Sequence, residues 1–146
     1  AQMIIRDIRP TDRAQWERLW AGYIEFYKST VAPEVTETTW RRFFDRNEPM
    51  QAIVAADHMG DLLGFTHIVF HRGTWAVGEF CYLEDLFVTP TARKHGIARE
   101  LIEEVYAIAD KRKCERVYWL THESNATARK LYDQVAKHRG FIQYQR

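Results

Sequence analysis

The segment QAIVAADHMGDLLGFTHIVFH, residues 51–71, constrains the fold more than any other part of the chain. It holds two runs rich in apolar and β-branched residues, separated by the turn-forming tetrapeptide HMGD. Two such runs joined by a short turn predict an antiparallel β-hairpin. Residues 77–89 form a further extended run that ends at Thr89-Pro90, so we expect the hairpin to continue as a three-stranded meander.

Helical periodicities flank this β-rich centre. Residues 12–28 carry a stripe of aromatic and aliphatic side chains at three-and-four spacing, with Thr11 as the expected N-cap. Residues 36–46 have the pattern of a second helix, and Ile97 to about Lys111 that of a clear amphipathic helix. The remaining predicted elements are the strands MIIRDI, RVYWLT and FIQYQ and a helix that opens at Asn125, runs through LYDQVAKH and is stopped by Gly140.

The order of these elements is β-αα-βββ-α-β-α-β. An antiparallel meander followed by a strand–helix–strand unit requires a sheet with both antiparallel and parallel pairs. We therefore predict an α/β fold of the α+β type, with a mixed, mostly antiparallel sheet of about six to seven strands flanked by about four helices. At 146 residues the chain is expected to form a single domain spanning residues 1–146.

Charge and cysteine content narrow the possible roles. The formal net charge is only +1, and acidic residues are interleaved along the 97–111 helix, which opposes a nucleic-acid-binding module. Cys81 and Cys114 match no zinc or redox spacing, so we expect packed thiols and no metal. AQMIIRDIRP lacks a signal-peptide pattern and no apolar run is long enough to cross a membrane, which favours a cytoplasmic protein without membrane contact.

RKHGIA, residues 93–98, stands between the meander and the amphipathic helix. The first N–H groups of a helix lack intrahelical partners, and the helix dipole adds partial positive charge, so this turn meets the requirements of an anion site. Gly96 permits close approach of the backbone, and Arg93, Lys94 and Arg99 supply positive charge. An ordinary tight turn with solvated basic residues is the alternative. The stretch matches neither GxxxxGK[ST] nor GxGxxG, which argues against a P-loop and a Rossmann site.

RKHGIA also matches the [QR]-x-x-G-x-[GA] signature of the GCN5-related N-acetyltransferases, the GNAT superfamily. EDLFVTP resembles the strand and proline that precede this turn, and WLTHESNATARKLYDQ resembles the later block, in which an asparagine precedes a helix with a Leu-Tyr pair. GFIQY resembles the closing strand. The ordered set covers about residues 82–144 and is most similar to the histone/polyamine and spermidine/spermine-type acetyltransferases. Ala98 stands where many members have a second glycine.

The resemblance implies an acetyl-CoA-dependent N-acetyltransferase that moves the acetyl group to a primary amine by direct attack in a ternary complex. It implies that the turn binds the pyrophosphate, that the end of the preceding strand pairs its backbone with the pantetheine arm, and that Val88 offers an N–H to the thioester carbonyl. The implied cofactor-binding residues are Leu86, Phe87, Val88, Arg93, Lys94, His95, Gly96, Ile97, Ala98, Arg99 and Asn125. Asn125 is an N-cap, a cofactor contact, or both.

Tyr132 is the candidate general acid and Glu84 the candidate base. A phenol is protonated at neutral pH and can donate to the leaving thiolate, and Tyr132 lies seven residues after Asn125 on the same helix face. YLEDLFV resembles the spermidine/spermine-type strand, which implies that Glu84 acts as base through water. Glu84 and Asp85 are adjacent on a strand, so they are expected to face opposite sides. The other candidate bases, each with a structural role as the alternative, are Asp85, Glu79, His67, His71 and His122.

The expected acceptor is a small-molecule amine or a basic peptide. Tyr23, Tyr27 and Trp75 are candidate acceptor-binding residues through cation–π contact, with packing as the alternative. A homodimer formed by strand pairing at the last strand or the meander edge is expected. The alternative function is a non-catalytic CoA-binding sensor domain of the same fold, which would keep RKHGIA but have no need of a positioned acid such as Tyr132.

Overall fold

The strands and helices follow the predicted order up to the last helix. The structure, a computed structural model, describes residues 3–146. Its strands are β1 (Met3–Asp7), β2 (Met50–Asp57), β3 (Leu62–His71), β4 (Phe80–Val88) and β5 (Arg116–Tyr118). Its helices are α1 (Arg13–Phe26), α2 (Pro33–Arg42), α3 (Ile97–Lys111) and α4 (Ala126–Val135). None of the helices within residues 3–146 has both the length and the apolar composition needed to cross a membrane.

The β2–β3 hairpin closes through a turn that its own side chains stabilise. Asp57 Oδ1 accepts the backbone N–H groups of Met59 and Asp61, each at 2.9 Å. Gly60 lies between them with φ +88°, a left-handed conformation that glycine adopts without steric cost. The expected hairpin is therefore confirmed, and β4 extends it as the third strand of the meander.

The five strands of the described chain lie side by side in the order β1-β2-β3-β4-β5. The first three pairs are antiparallel, and β4 and β5 are parallel, because α3 carries the chain back across one face of the sheet. The mixed, mostly antiparallel class is confirmed, and the strand number is lower than the six to seven expected.

The sheet is covered on both faces. On one face, Leu101, Ile102 and Val105 of α3 are fully buried against alternate residues of the strands. On the other face, Trp16 of α1 is fully buried with Phe65 of β3. Full burial of each large apolar side chain contributes about 1.5–3 kcal/mol relative to exposure, so these two clusters are the main stabilising features of the fold.

A β-bulge in β4 changes which face its residues cover. His67 pairs with Asp85 but Ile68 pairs with Leu83, so Glu84 is an extra residue without a partner on β3. Before the bulge, Leu83 faces α3, and after it Phe87 faces α1. The sequence alternation did not reveal this shift, because apolar residues follow on both faces of the strand.

Four predicted boundaries are corrected by the structure. Thr11 is not the N-cap of α1: the Asp12 carboxylate accepts the N–H of Arg9 at 2.7 Å, and Pro10–Asp12 forms a 3₁₀ turn before the helix. The second helix begins at Pro33, since proline is well suited to the first helical position, and ends at Arg42. The strand at RVYWLT is only three residues long, and α4 ends at Val135, before Gly140.

The predicted last strand FIQYQ is absent, since no strand is found after α4 in residues 3–146. Phe141, Ile142 and Tyr144 are 85%, 76% and 87% exposed, so the tail contacts little of its own chain. The apolar pattern predicted an extended conformation, but a strand also needs a sheet edge to pair with, and the tail is not paired with β5.

Candidate active site

Strands β4 and β5 separate soon after they begin. Their pairing joins Phe80–Tyr82 to Arg116–Tyr118 and stops there, whereas β4 stays paired with β3 as far as Val88. Residues 83–88 therefore have an open backbone edge on the β5 side. An open edge of this kind can pair with an extended ligand, as in β-augmentation. The side chains of Phe87 and Val88 are buried, so these two residues offer only their backbone to a ligand.

The turn before α3 is an exposed concavity of backbone. Arg93–Gly96 are exposed, and Lys94 and Gly96 have φ values of +70° and +78°. A Cβ placed on Gly96 would have no heavy atom within 4 Å, so glycine serves the left-handed conformation and leaves open space above it. The unpaired N–H groups at the start of α3 adjoin this space, which suits an anion.

Arg93 has a structural contact that the sequence did not predict. Its Nε donates to the carbonyl of Val88 at 3.0 Å, and its guanidinium lies 5.6 Å from the Phe87 ring and 5.7 Å from the Phe26 ring. Arg93 thereby links the end of β4 to the end of α1. A guanidinium has five N–H groups, so the remaining ones can still bind an anion.

A second arginine of the predicted cofactor set is bonded to the last helix. Arg99 on α3 donates a hydrogen bond to the side chain of Gln134 on α4. Lys94 and His95 are exposed on the turn, and the Ile97 side chain is buried in the α3-side cluster. At this turn Lys94 and His95 offer their side chains to a ligand, whereas Ile97 can offer only its backbone.

Glu84 and Asp85 face the same side of the sheet. The negative charges of both carboxylates help to raise the pKa of Tyr23 on α1, after burial as the largest cause. The expectation that they face opposite sides was wrong because of the β-bulge, which places two consecutive residues on one face. Neither carboxylate is paired with a lysine or arginine among the ion pairs of residues 3–146.

Their immediate surroundings differ. Asp85 Oδ2 lies 2.9 Å from Nδ1 of His67, and His67 Nε2 lies 3.1 Å from the indole Nε1 of Trp16. Glu84 is exposed, yet partial loss of its surrounding water raises its pKa, and the charge of Asp85 raises it further. A carboxylate with a raised pKa is a better proton acceptor near neutral pH than an ordinary one.

Three tyrosines connect these carboxylates to α4. The Tyr23 and Tyr27 rings are 5.0 Å apart, and the Tyr27 ring lies 6.2 Å from that of His122. Burial, with a smaller contribution from Tyr27, raises the pKa of Tyr132 to about 12. Tyr23 and the two carboxylates thus lie on the α1 side of the sheet, whereas Tyr132 packs against the α3-side cluster, with its ring 5.4 Å from that of Trp119.

Several other predicted residues lie elsewhere. Trp75 is 90% exposed on the connection between β3 and β4, and no contact joins it to the tyrosines in the described chain. Glu79 forms an ion pair with Arg112 at 2.9 Å, and His71 Nε2 lies 2.6 Å from the Tyr118 hydroxyl. Asn125 caps α4, accepting the N–H of Ala128 at 3.4 Å, which confirms the N-cap reading.

One contact beside these carboxylates was not predicted from the sequence. Trp16 was assigned to a packing stripe and His67 to a set of candidate bases, without a link between them. They are 51 residues apart, and only the packing of α1 on β3 brings them together. The one available indication in the sequence was the indole N–H of Trp16, a polar group on an otherwise apolar helix stripe. A buried indole N–H needs a hydrogen-bond acceptor.

Comparison with known proteins agrees with this geometry. The model of the Acetyltransferase (GNAT) family matches residues 13–141. The D-amino-acid N-acetyltransferase HPA3 of Saccharomyces cerevisiae is 38% identical over 146 residues, covering 99% of this chain and 91% of that protein. The thialysine N-epsilon-acetyltransferase of Mus musculus is 28% identical over 136 residues, covering 88% and 79%.

Solved structures share the fold at lower identity. The ribosomal-protein-alanine N-acetyltransferase of Brucella melitensis has a TM-score of 0.81 at 20% identity, covering 99% of this chain and 98% of its own. AAC(6')-Iy, in complex with the bisubstrate analog CoA-S-monomethyl-acetylneamine, has a TM-score of 0.81 at 18% identity, covering 100% and 98%. The curated relatives are enzymes, which disfavours the sensor alternative. This chain belongs to the acetyltransferase (GNAT) family and is an acetyl-CoA-dependent N-acetyltransferase.

Proposed function

We propose that this enzyme acetylates a primary amine of a small cationic molecule or a basic peptide, by direct attack in a ternary complex. The observation that carries the proposal is the pair of carboxylates on one face, Glu84 and Asp85, without a lysine or arginine partner in the described chain. Two such negative charges attract a protonated amine and repel an anionic acceptor. Tyr23 and Tyr27, beside them, offer ring faces to the same cation.

In this mechanism Glu84 acts on the acceptor amine and Tyr132 acts on the leaving sulfur. Glu84 takes a proton from the ammonium group through water, which leaves the amine nitrogen with a free electron pair. That nitrogen forms a bond to the acetyl carbon while the carbon–sulfur bond breaks, and the backbone N–H of Val88 donates to the carbonyl oxygen. The nitrogen then loses its second proton as the amide forms, and the departing thiolate takes up a proton to become the free thiol of CoA. Tyr132 donates to the departing sulfur. Since its pKa of about 12 exceeds that of an alkyl thiol, its main contribution is a hydrogen bond to the thiolate.

The turn and the β4 edge fit acetyl-CoA, which supplies the activated acetyl group when bound. The open space above Gly96 and the free N–H groups of the first turn of α3 match a pyrophosphate. The remaining guanidinium N–H groups of Arg93, with Lys94, supply counter-charge. The open backbone of Leu86–Val88 matches the extended pantetheine arm, whose amide groups can hydrogen-bond as a strand does.

Free-thiol release from acetyl-CoA, measured against a panel of amines, tests the proposal. The relatives named above act on D-amino acids and on thialysine, so the panel includes both with diamines and lysine-rich peptides. We expect faster turnover for acceptors with a second positive charge and little for acceptors with an anionic group beside the amine. A preference for anionic acceptors would contradict the assignment of Glu84 and Asp85.

We also propose a homodimer that functions in the cytoplasm. The exposed apolar tail at Phe141–Tyr144 and the short strand β5 are the features that support association with a second copy. Cys81 and Cys114 are free thiols, and Cys81 is fully buried, which suits a reducing compartment.

A further inference from the structure

The two hydrogen-bond partners of His67 determine which ring nitrogen carries its proton. An indole N–H can only donate, so His67 Nε2 must accept the bond from Trp16 at 3.1 Å. The proton of the neutral ring therefore lies on Nδ1, which donates to Asp85 Oδ2 at 2.9 Å. The tautomer of His67 is thus assigned from the hydrogen-bond partners of its ring, which is the usual basis for such an assignment. Nε2 is thus already engaged and is not free to take a proton from an amine.

The surroundings of His67 hold this arrangement in place. Its side chain is 5% exposed, and the rings of Phe65, Phe43 and Trp20 lie 4.5, 4.8 and 5.4 Å from the imidazole. Close packing of this kind prevents the ring from turning without displacing its neighbours. Both carboxylates of β4 face it, Asp85 in contact and Glu84 further away.

We infer that His67 is a positioning residue, a neutral donor that fixes the Asp85 carboxylate on the acceptor side of the site. The inference rests on the proposed function and divides the two carboxylates between two tasks. Asp85, whose orientation is fixed, binds the ammonium group of the acceptor. Glu84, which is exposed and has no such donor, accepts the proton. His67 is therefore not the base, although it contacts the Asp85 carboxylate.

The first test is spectroscopic and does not depend on activity. Nitrogen-15 NMR distinguishes a protonated ring nitrogen from a bare one, and at about pH 8 an ordinary histidine is neutral. We expect His67 to carry its proton on Nδ1, with Nε2 bare. A proton on Nε2 instead would mean that the hydrogen bond from Trp16 is absent, because an indole nitrogen cannot accept one, and it would overturn the inference.

The second test separates acceptor binding from cofactor binding. His67→Phe keeps a ring in the packed site but removes both nitrogens, so we expect the KM for the acceptor to rise about tenfold to hundredfold, with the KM for acetyl-CoA unchanged. His67→Asn keeps an amide N–H for Asp85 and is expected to restore most of the acceptor KM. Equal losses in both variants, or a matching change for acetyl-CoA, would show a packing role only.

Two further variants keep this test decisive. Should His67→Phe fail to fold, Asp85→Asn preserves the shape and the hydrogen bond but removes the charge, and it must raise the acceptor KM by a similar factor. His71→Asn is the matched control, because this histidine lies on the same strand and contacts Tyr118 and the Arg72 carbonyl. It is expected to leave both KM values unchanged.

Failure of the proposed function would be distinguishable. If the wild-type chain transfers no acetyl group to any amine, calorimetric binding of a four-carbon diamine replaces KM as the readout. The wild-type chain is then expected to bind the diamine at least about tenfold more tightly than His67→Phe. Equal binding by the two chains would overturn the role of His67, whatever the enzyme acetylates.

Discussion

At the bulge in β4, two neighbouring carboxylates share one face of the sheet but have different partners. Asp85 is held by His67, whereas Glu84 is exposed and has no ion-pair partner in the described chain. Loss of surrounding water and the charge of Asp85 raise the pKa of Glu84. Enzymes commonly give two neighbouring carboxylates different roles by placing them in different surroundings.

We expect Glu84→Gln to lower kcat by roughly 10²–10⁴-fold, since the amide cannot accept the proton of the acceptor. The wild-type rate should fall as pH falls through the raised pKa of Glu84, because the base is then protonated. The variant should lack that acid limb. Glu79→Gln is the control, since Glu79 pairs with Arg112 away from the site. An unchanged kcat in Glu84→Gln would remove the assigned base.

Individual roles at this scale were only partly predictable from the sequence. Glu84, Tyr132 and the tyrosines of α1 were named from a resemblance and from side-chain chemistry, and their roles stay predictions. The shared face of Glu84 and Asp85 was not predictable, because an extra residue in a strand leaves the alternation of apolar residues almost unchanged. The indole N–H of Trp16 indicated that an acceptor was needed, but the choice of His67 as that acceptor depends on tertiary packing.

The turn between β4 and α3 shows how an element forms a binding site from backbone. The left-handed Gly96 ends the turn, and α3 begins at Ile97 because its apolar stripe packs on the sheet. The result is a set of unpaired N–H groups beside an open space. The same left-handed conformation occurs at Gly60, in the β2–β3 turn, which is outside the site.

These two glycines provide a matched pair of variants. Gly96→Ala and Gly60→Ala each place a Cβ in a left-handed position with no atom within 4 Å, so each should lower the free energy of unfolding by about 1 kcal/mol. Only Gly96→Ala should weaken acetyl-CoA binding, because its Cβ occupies the space expected for the pyrophosphate. Thermal melts and calorimetry measure the two effects. Equal acetyl-CoA affinity in both variants would contradict the phosphate site.

Elements with strong periodicity were predicted well from the sequence. The α3 stripe of apolar residues is buried as expected, and the hairpin forms at HMGD. The boundaries of α1 and α2 were wrong, because Asp12 and Pro33 start their segments through local contacts that periodicity does not record. The last strand was wrong because pairing partners are set by the whole fold.

At the scale of the whole molecule, the C-terminal tail, residues 141–146, exposes apolar side chains that a second protein chain could cover. Phe141, Ile142 and Tyr144 are among the most exposed apolar side chains of the described chain. Two aromatic side chains and one isoleucine from each of two copies bury on the order of 1,000 Å², close to the minimum for a stable interface. A second copy that covers both tails would remove this exposure.

Deletion of residues 141–146 should therefore convert a dimer to a monomer, as measured by sedimentation. Met59→Ser is the matched control, since Met59 is also an exposed apolar residue, 74% accessible, but lies in the β2–β3 turn. It should leave the dimer intact. A monomeric wild-type chain, or a truncated chain that still dimerises, would refute the tail as the interface.

Acetyl transfer to an amine is the central claim, and the most direct measurement compares two products of one reaction. Free thiol and N-acetylated amine are quantified together after incubation of the enzyme with acetyl-CoA and a diamine. One acetylated amine for each thiol released, with no thiol release when the amine is omitted, is the expected result. Thiol release without acetylated amine would show hydrolysis of the thioester and would contradict the assignment.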